Sequence, residues 1–324
     1  MKSSLGSCPV CDEPFEQAQA VAYPSTAGAP ASCPQEILVC PRCELGVANP
    51  MLTEDELGRL YEGQQYWDSD ETRAVTPRQR PLPFALARAR WEMIRSELDS
   101  RGKRRVSVLD IGAGPGYLGL TIARVSPDRL AVYGAVEPDP MVVHQLENGW
   151  RDLAPAARLR VRESLDQTGT LWDVVVLSHV LEHVIDPAEF LAAAARPLAP
   201  DGILMIDVPH ADYRHKTDAF PHLHFFNQGN LDLLIRKVGL VPVSSGLWGR
   251  TGSWAPMVGD RSARAFRAAR FITGIADRAV SLAWPARLPD LYGWFYGAAH
   301  RSADGPWLRV IATRPSAADP ECRP

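Results

Sequence analysis

The stretch VSVLDIGAGPGYLG, from Val106 to Gly119, decides how the chain folds. An apolar run (Val106, Val108, Leu109) stops at an acid, Asp110. Gly112, Gly114 and Gly116 follow at alternate positions. The pattern reads as a strand, a tight turn and then a helix. Glycine permits positive φ and lets a ligand approach bare backbone. The helix after the turn opens with unpaired N–H groups and the positive end of its dipole. Such a turn at the carboxyl end of a parallel strand is a cofactor site.

The variant of the turn narrows the cofactor. A dinucleotide fingerprint, G-x-G-x-x-G, would place its third glycine where this chain has Tyr117. What stands here is D-x-G-x-G-x-G. One strand further on, the apolar run Ala131–Val136 ends in Glu137-Pro138-Asp139. An acid there can accept hydrogen bonds from two ribose hydroxyls. Together these residues resemble motif I and the second-strand acid of class I S-adenosylmethionine-dependent methyltransferases. The resemblance implies S-adenosylmethionine over Asp110, Gly112, Gly114 and Gly116, with its ribose on Glu137. It also implies Glu163 or Leu165 beside the adenine, and Tyr117 and Ser178 near the methionine end. A nicotinamide dinucleotide is the competing ligand, and Tyr117 disfavours it. A purely structural turn leaves the position of Glu137 unexplained.

The six cysteines are unevenly spread, with five in the first 43 residues and Cys322 near the end. Cys8-Pro-Val-Cys11 and Cys40-Pro-Arg-Cys43 are two C-x-x-C knuckles. Each aims two thiolates at one point, and a pair of knuckles completes a tetrahedral site for zinc. The gap between them is long, but loop closure costs only logarithmically in length. Disulfides are the alternative, which a reducing compartment disfavours. No base stands nearby, so a closed structural zinc is expected, with Cys33 as a spare thiol.

The chain has 324 residues and a formal net charge of −3. That balance disfavours a dedicated nucleic-acid binder, which carries a basic surplus. Neither a leader pattern nor an uncharged span of membrane length is seen, so a cytoplasmic protein is expected. Residues 73–105 hold ten Arg and Lys against three acids. A solvated helix face is the plain reading of that run, and a phosphate-bearing ligand the sharper one. The segment CPRCELGVANPMLTEDELGRLYEGQQYW looks like the stretch that joins a zinc-binding N-terminus to the core of small-molecule methyltransferases, sugar C-methyltransferases among them.

Strands are expected near 106–110, 131–136, 158–162, 173–178, 202–208 and 240–244, alternating with helices, as in a parallel sheet covered on both faces. Residues 307–313 would be the antiparallel seventh strand of this family. The expected fold is α/β, a Rossmann-like seven-stranded methyltransferase sheet. Its organisation would be a zinc-binding unit over 1–50, a helical linker over 51–105 and a core over 106–245. A helical lid over 246–306 and a last strand and tail over 307–324 would complete it. The lid would carry Arg261, Arg264, Arg267 and Arg270, then the aromatics Trp284, Tyr292, Trp294, Phe295 and Tyr296.

The fourth strand, Trp172 to Ser178, runs directly into His179-Val-Leu-Glu182-His183-Val-Ile-Asp186-Pro187. H-x-x-E-H is also a zinc-protease pattern when a long helix carries it. Here Pro187 follows too soon for such a helix. The same letters resemble the SHVLEHVxDP signature that follows strand four in many methyltransferases. The group from His222 to Phe226 resembles their HLxFF signature. In that family the loops after strands four and five flank the transferred methyl group. This implies His183 and His222 as base or acceptor-orienting residues, a task that suits imidazole. His179, His210 and His224 rank behind them, with Tyr66 and Tyr213 as further candidates, and a capping or core histidine is the plain alternative. Glu182 with two histidines could also hold a divalent cation, which some related quinone-pathway enzymes need. Sugar C-methyltransferases of this type carry Tyr-x-Glu-His where this chain has Ala219-Phe220-Pro221-His222, so the set that enolises a ketosugar is missing.

These readings imply methyl transfer to O, N or C of a small-molecule acceptor, phosphate-bearing or apolar, in a biosynthetic pathway. An RNA methyltransferase and a non-catalytic cofactor-binding regulator are the alternatives. Charge disfavours the first. The intact glycines and Glu137 disfavour the second.

Overall fold

The computed structural model describes residues 6–26, 30, 32–62, 76–165, 170–249 and 288–315. Tyr66, the arginines of 261–270, Trp284 and Cys322 lie outside them. Along the chain come β1 (Gln19–Ala22), β2 (Glu36–Val39), β3 (Gly46–Asn49), α1 (Glu54–Glu62) and α2 (Pro81–Ser100). Next are β4 (Val106–Ile111), α3 (Tyr117–Val125), β5 (Leu130–Val136), α4 (Pro140–Leu153) and β6 (Leu159–Arg162). Then follow β7 (Trp172–Ser178), α5 (Pro187–Ala195), β8 (Leu198–Pro209), β9 (His224–Phe225) and α6 (Gln228–Lys237). Last are β10 (Val241–Trp248), α7 (Leu288–Tyr296), β11 (Arg301–Ser302) and β12 (Trp307–Thr313). The seven expected core strands are present as β4, β5, β6, β7, β8, β10 and β12. β8 starts at Leu198, before the expected residue 202. None of the described helices is long and apolar enough to cross a membrane.

The chain gathers into two compact units. The first comprises Met1–Arg59, Thr168–Gly246 and Trp307–Pro324. The second comprises Leu60–Gln167 and Leu247–Pro306.

In the second unit β4 and β5 pair in parallel, and β5 and β6 do the same. Phe84, Ala87, Trp91, Ile94 and Leu98 are buried along α2 at alternating steps of three and four, one stripe of a helix. The basic residues on its other side are spent on neighbours. Arg95 pairs with Glu92 at 2.6 Å and Asp99 at 3.1 Å, and Arg101 pairs with Glu97 at 2.7 Å. Arg88 meets Asp290 of α7. This is a self-paired solvated face. Gly119 of α3 lies where an added Cβ would stand 2.6 Å from the Tyr133 ring and 2.7 Å from Trp150. Those two rings stack at 5.1 Å, so glycine lets α3 settle onto the sheet.

In the first unit β10, β12, β8 and β7 lie side by side in that order. β7 and β8 are parallel, while β12 runs antiparallel to β8. α4, in the second unit, and α5, in the first, begin with the same device. Asp139 and Asp186 cap the next amides, and a proline fills the first helical position. A small antiparallel sheet, β1-β2-β3-β9, joins the N-terminal segment to the core. Here Gly46 is required, since a Cβ would meet Ile37 at 2.9 Å and Phe225 at 3.0 Å.

Arg309 of β12 and Asp207 of β8 face each other across the strand pair with Nε to Oδ2 at 3.0 Å. Both are fully buried, at 1% and 0% side-chain exposure. Removing one partner leaves an uncompensated charge. Arg309→Met should therefore lower unfolding free energy by about 3–5 kcal/mol, read by denaturant melts. The double change Arg309→Met with Asp207→Leu should recover most of that loss.

Candidate functional site

Three constellations carry chemistry, and the first is the glycine turn of the second unit. Gly112, Gly114 and Gly116 all take positive φ, at 70°, 54° and 78°. A side chain at these positions would be strained. At Gly116 a Cβ would also press Leu146 at 3.0 Å. Glu137 is buried, and its Oε2 accepts from the Gly114 amide at 2.9 Å, while Oε1 accepts from Asp139 N at 3.2 Å. The acid thus shapes the turn as well as standing beside it. Burial pushes its pKa up, opposed by those two amides. Asp110 accepts from the Tyr133 hydroxyl through Oδ2, and burial raises it to about 6. Its Oδ1 is buried with no hydrogen-bond partner among the described residues. Tyr117 is half-buried, edge-on to Phe84 at 5.2 Å. Past the end of β6, Glu163 is exposed and Leu165 half-buried.

The second constellation lies in the first unit, on the loops after β7 and β8. Ser178 ends β7, half-buried. The residues after it make a turn rather than a helix, as Pro187 requires. His179 takes a φ of 56°, and Ala211, after β8, takes 41°. Left-handed conformations at non-glycine residues are strained and gather at functional sites. His179 Nδ1 lies 3.2 Å from Glu182 Oε1, and His183 Nε2 lies 3.9 Å from the same oxygen. The His183 and His222 rings meet edge to face at 4.8 Å. His222 Nδ1 stands 2.9 Å from Asp212 Oδ2, which also takes Lys216 Nζ at 2.8 Å.

The electrostatics of this cluster are strongly polarised. Burial drives His183 down to about 3, so it stays neutral. Burial alone would raise Glu182, but the bond from His179 and the adjoining imidazoles hold it below the ordinary carboxylate value. Asp212 likewise resists burial and lies well below the usual range, held by His222 and Lys216. Glu182 Oε2, both oxygens of Asp212 and His222 Nδ1 are buried without a well-formed hydrogen bond among the described residues, so His222 and Lys216 meet Asp212 at ion-pair distance. Sequence reasoning singled out His183 and His222 and missed Asp212. No spacing rule links positions 212 and 222. Only the short 3-10 turn over Asp212–Arg214 brings the acid back to the histidine. Tyr213 packs on Phe225 at 5.4 Å, and His224 is buried beside Phe226.

The third constellation is Cys8, Cys11, Cys40 and Cys43, whose sulfurs all lie within 4.8 Å of one another. The pairs Cys8–Cys43 and Cys11–Cys40 stand at 3.5 Å, too far for a disulfide. Four sulfurs at about 2.3 Å from zinc define a tetrahedron with edges of about 3.8 Å, which this spacing brackets. A hydrogen bond from Cys43 pulls Cys8 down to about 5, and the same bond pushes Cys43 up. Glu182, His183 and His222 are a second group whose ligand atoms lie within 4.8 Å of each other.

A family model described as a methyltransferase domain matches residues 82–245 of the 324. The chain belongs to this family. Its strand–glycine turn–helix and the acid ending β5 are those of a class I S-adenosylmethionine-dependent methyltransferase. Among curated relatives, a ubiquinone biosynthesis O-methyltransferase of Xanthomonas oryzae pv. oryzae is 33% identical over 144 residues, covering 44% of this chain and 55% of that protein. The enzyme of the same description from Azorhizobium caulinodans is 31% identical over 164 residues, covering 49% and 63%. The methyltransferase thus spans roughly half to two-thirds of the length of these relatives. Among solved structures, magnesium protoporphyrin IX methyltransferase of Synechocystis PCC 6803 with bound SAM is similar at 13% identity and a TM-score of 0.47, covering 83% of this chain and all of that one. The plantazolicin methyltransferase BpumL is similar at 12% identity and a TM-score of 0.48, covering 81% and 99%.

His224 makes the first unit sensitive to acid. Burial holds it near 4, with Asp186 and the Val184 backbone opposing. The unfolded chain takes up a proton below about 6.5 that the folded chain refuses until about 4. Stability should therefore fall as pH drops through that window, by up to about 3 kcal/mol from this residue. His224→Phe should flatten that part of the stability–pH curve, measured by thermal melts from pH 7 to 4.

Proposed function

We propose that the protein transfers the methyl group of S-adenosylmethionine to a hydroxyl of a small-molecule acceptor, with His222 as the base. The observation that carries this reading is the contact of His222 Nδ1 with Asp212 at 2.9 Å. A buried carboxylate 2.9 Å from one ring nitrogen favours a proton on that nitrogen and leaves Nε2 to take another. Lys216 and His222 keep Asp212 ionised, so it stabilises the imidazolium once formed. His183 stays neutral and edge-on to His222, suited to orienting an acceptor. Oxygen or nitrogen is favoured over carbon because each already carries a lone pair, and a hydroxyl gains most from a base that removes its proton. Ala219 and Pro221 replace the groups that would enolise a ketosugar. The curated relatives named above are O-methyltransferases by description.

The turn of the second unit fits the cofactor. Three left-handed glycines leave a bare cradle, and Asp110 Oδ1 is an unused buried acceptor. When bound, S-adenosylmethionine supplies a methyl group activated by the sulfonium. Gly112–Gly116 would carry it, Glu137 its ribose, Glu163 or Leu165 its adenine edge, and Tyr117 and Ser178 its methionine end. The protein then contributes positioning, exclusion of water and the base. Zinc at Cys8, Cys11, Cys40 and Cys43 is proposed as structural.

His222→Ala should lower kcat about 10²–10⁴-fold with cofactor affinity nearly unchanged. Asp212→Asn should follow it, with a smaller loss and an altered pH profile. Single-turnover rates with melting temperatures decide this. Full rates in the His222 variant would remove the base from this position. A second reading places a divalent cation on Glu182, His183 and His222, whose ligand atoms cluster within 4.8 Å. Two imidazoles and a carboxylate suit a transition metal or zinc. A second metal equivalent, lost in His183→Ala with the cysteine metal retained, would favour it.

Glu137→Ala should weaken S-adenosylmethionine binding by about 1.5–3 kcal/mol, since it removes both the ribose acceptor and the bond to Gly114. Gly114→Val should abolish binding. Unchanged calorimetric affinity in both variants would remove the cofactor from this turn.

A further inference from the structure

The loop that carries His222 is gripped from two sides. On the inner side, the Leu223 and His224 amides donate to Glu182 O at 2.7 and 3.1 Å. Beyond the Ala211 amide, which donates to Phe226 O at 2.8 Å, the loop's further backbone partners come from the N-terminal segment. The Tyr23 hydroxyl donates to His222 O at 2.8 Å. The Ala219 amide donates to Pro24 O at 2.9 Å, and Thr26 Oγ1 donates to Asp218 Oδ2 at 2.8 Å. The Ala48 amide donates to Leu223 O at 2.9 Å, and β9 is paired with β3 through Val47 opposite His224 and Gly46 opposite Phe225.

Some of these partners lie between the two cysteine knuckles, and the rest follow directly after the second. Tyr23, Pro24 and Thr26 lie between Cys11 and Cys40. β3 begins three residues beyond Cys43, and Asn230 of α6 donates to Cys43 O at 3.3 Å. A segment this short has too little core to hold its shape without a staple. Metal binding is then its folding energy. Tyr23 is buried, with its ring edge-on to Phe225 at 5.9 Å, so its hydroxyl has a fixed aim.

We infer that the metal on the four cysteines holds His222 in place, with Tyr23 as the positioning residue that touches the histidine's own backbone. The cysteine site is then part of the catalytic framework, although it takes no part in the chemistry. This rests on His222 as the base. None of the residues proposed to hold the cofactor lies in the 219–226 loop or in the N-terminal segment, so cofactor affinity should change little when the cysteine metal is removed.

The test uses the full-length protein in two forms, one stripped of metal by a chelator with loss verified by elemental analysis, the other Tyr23→Phe. Hydrogen exchange at residues 219–226, calorimetric S-adenosylmethionine affinity, single-turnover rate and melting temperature are read on each. The native protein should carry one equivalent of zinc. Its removal should speed exchange at 219–226 by more than tenfold (about the loss of several hydrogen bonds) and abolish turnover, while cofactor affinity holds and zinc restores both. Tyr23→Phe should speed the same exchange by about fivefold, the scale of one hydrogen bond, and lower kcat with little change in melting temperature. If stripping unfolds the whole chain, Tyr23→Phe alone decides. Unchanged exchange at 219–226 in Tyr23→Phe, or in a stripped protein that stays folded, would overturn the inference. Faster exchange with full turnover would support the positioning role and instead remove His222 as the base.

Discussion

Two amides, those of Leu223 and His224, close on one carbonyl oxygen, that of Glu182. The histidine-bearing loops of the first unit depend on that clamp. It fixes the loop after β7 to the loop after β8, whose own regular structure amounts to a short 3-10 turn and β9. Once the backbones are joined, the side chains follow. Glu182 turns inward between His179 and His183, and His222, one residue before the clamp, presents its Nδ1 to Asp212. The same clamp sets His224 and Phe225 in line to form β9, which closes the small sheet. A hydrogen bond to a backbone carbonyl suits this task because it does not depend on which side chain occupies the position.

The fold spends stability at these loops and recovers it elsewhere. His179 and Ala211 are held in left-handed conformations. Asp110 and Glu182 each keep one buried oxygen, and Asp212 both, without a hydrogen-bond partner among the described residues. Burying a polar group unpaired costs free energy, so such atoms are scarce outside sites that use them. Compensation comes from regular parts of the chain. Two Asp-Pro helix starts, the α2 stripe and the Tyr133–Trp150 stack against Gly119 are all locally consistent. The basic run of α2 belongs with them, since its arginines are largely paired with acids of the same unit.

The chemistry divides between the compact units. The second unit offers glycine backbone and two buried acids, groups suited to hold a cofactor. The first offers two imidazoles in different surroundings. Burial keeps His183 neutral, whereas His222 stands 2.9 Å from the Asp212 carboxylate. On the proposed reading one orients the acceptor and the other takes its proton.

Much was legible in the sequence because it rested on short-range rules. The strand–turn–helix at Val106–Gly119, the acid at Glu137, the helix starts after Asp139 and Asp186 and the paired knuckles all follow from local backbone preference and fixed spacing. The seven core strands fell near their expected places for the same reason. Tertiary structure alone decided the rest. Asp212 reaches His222 only because a short turn after β8 folds back, and β9 exists only because β3 is there to pair with it. Tyr23 meets the backbone of His222 across 199 positions of sequence. Contacts of that kind depend on where whole elements pack, and no local pattern of residue types encodes them.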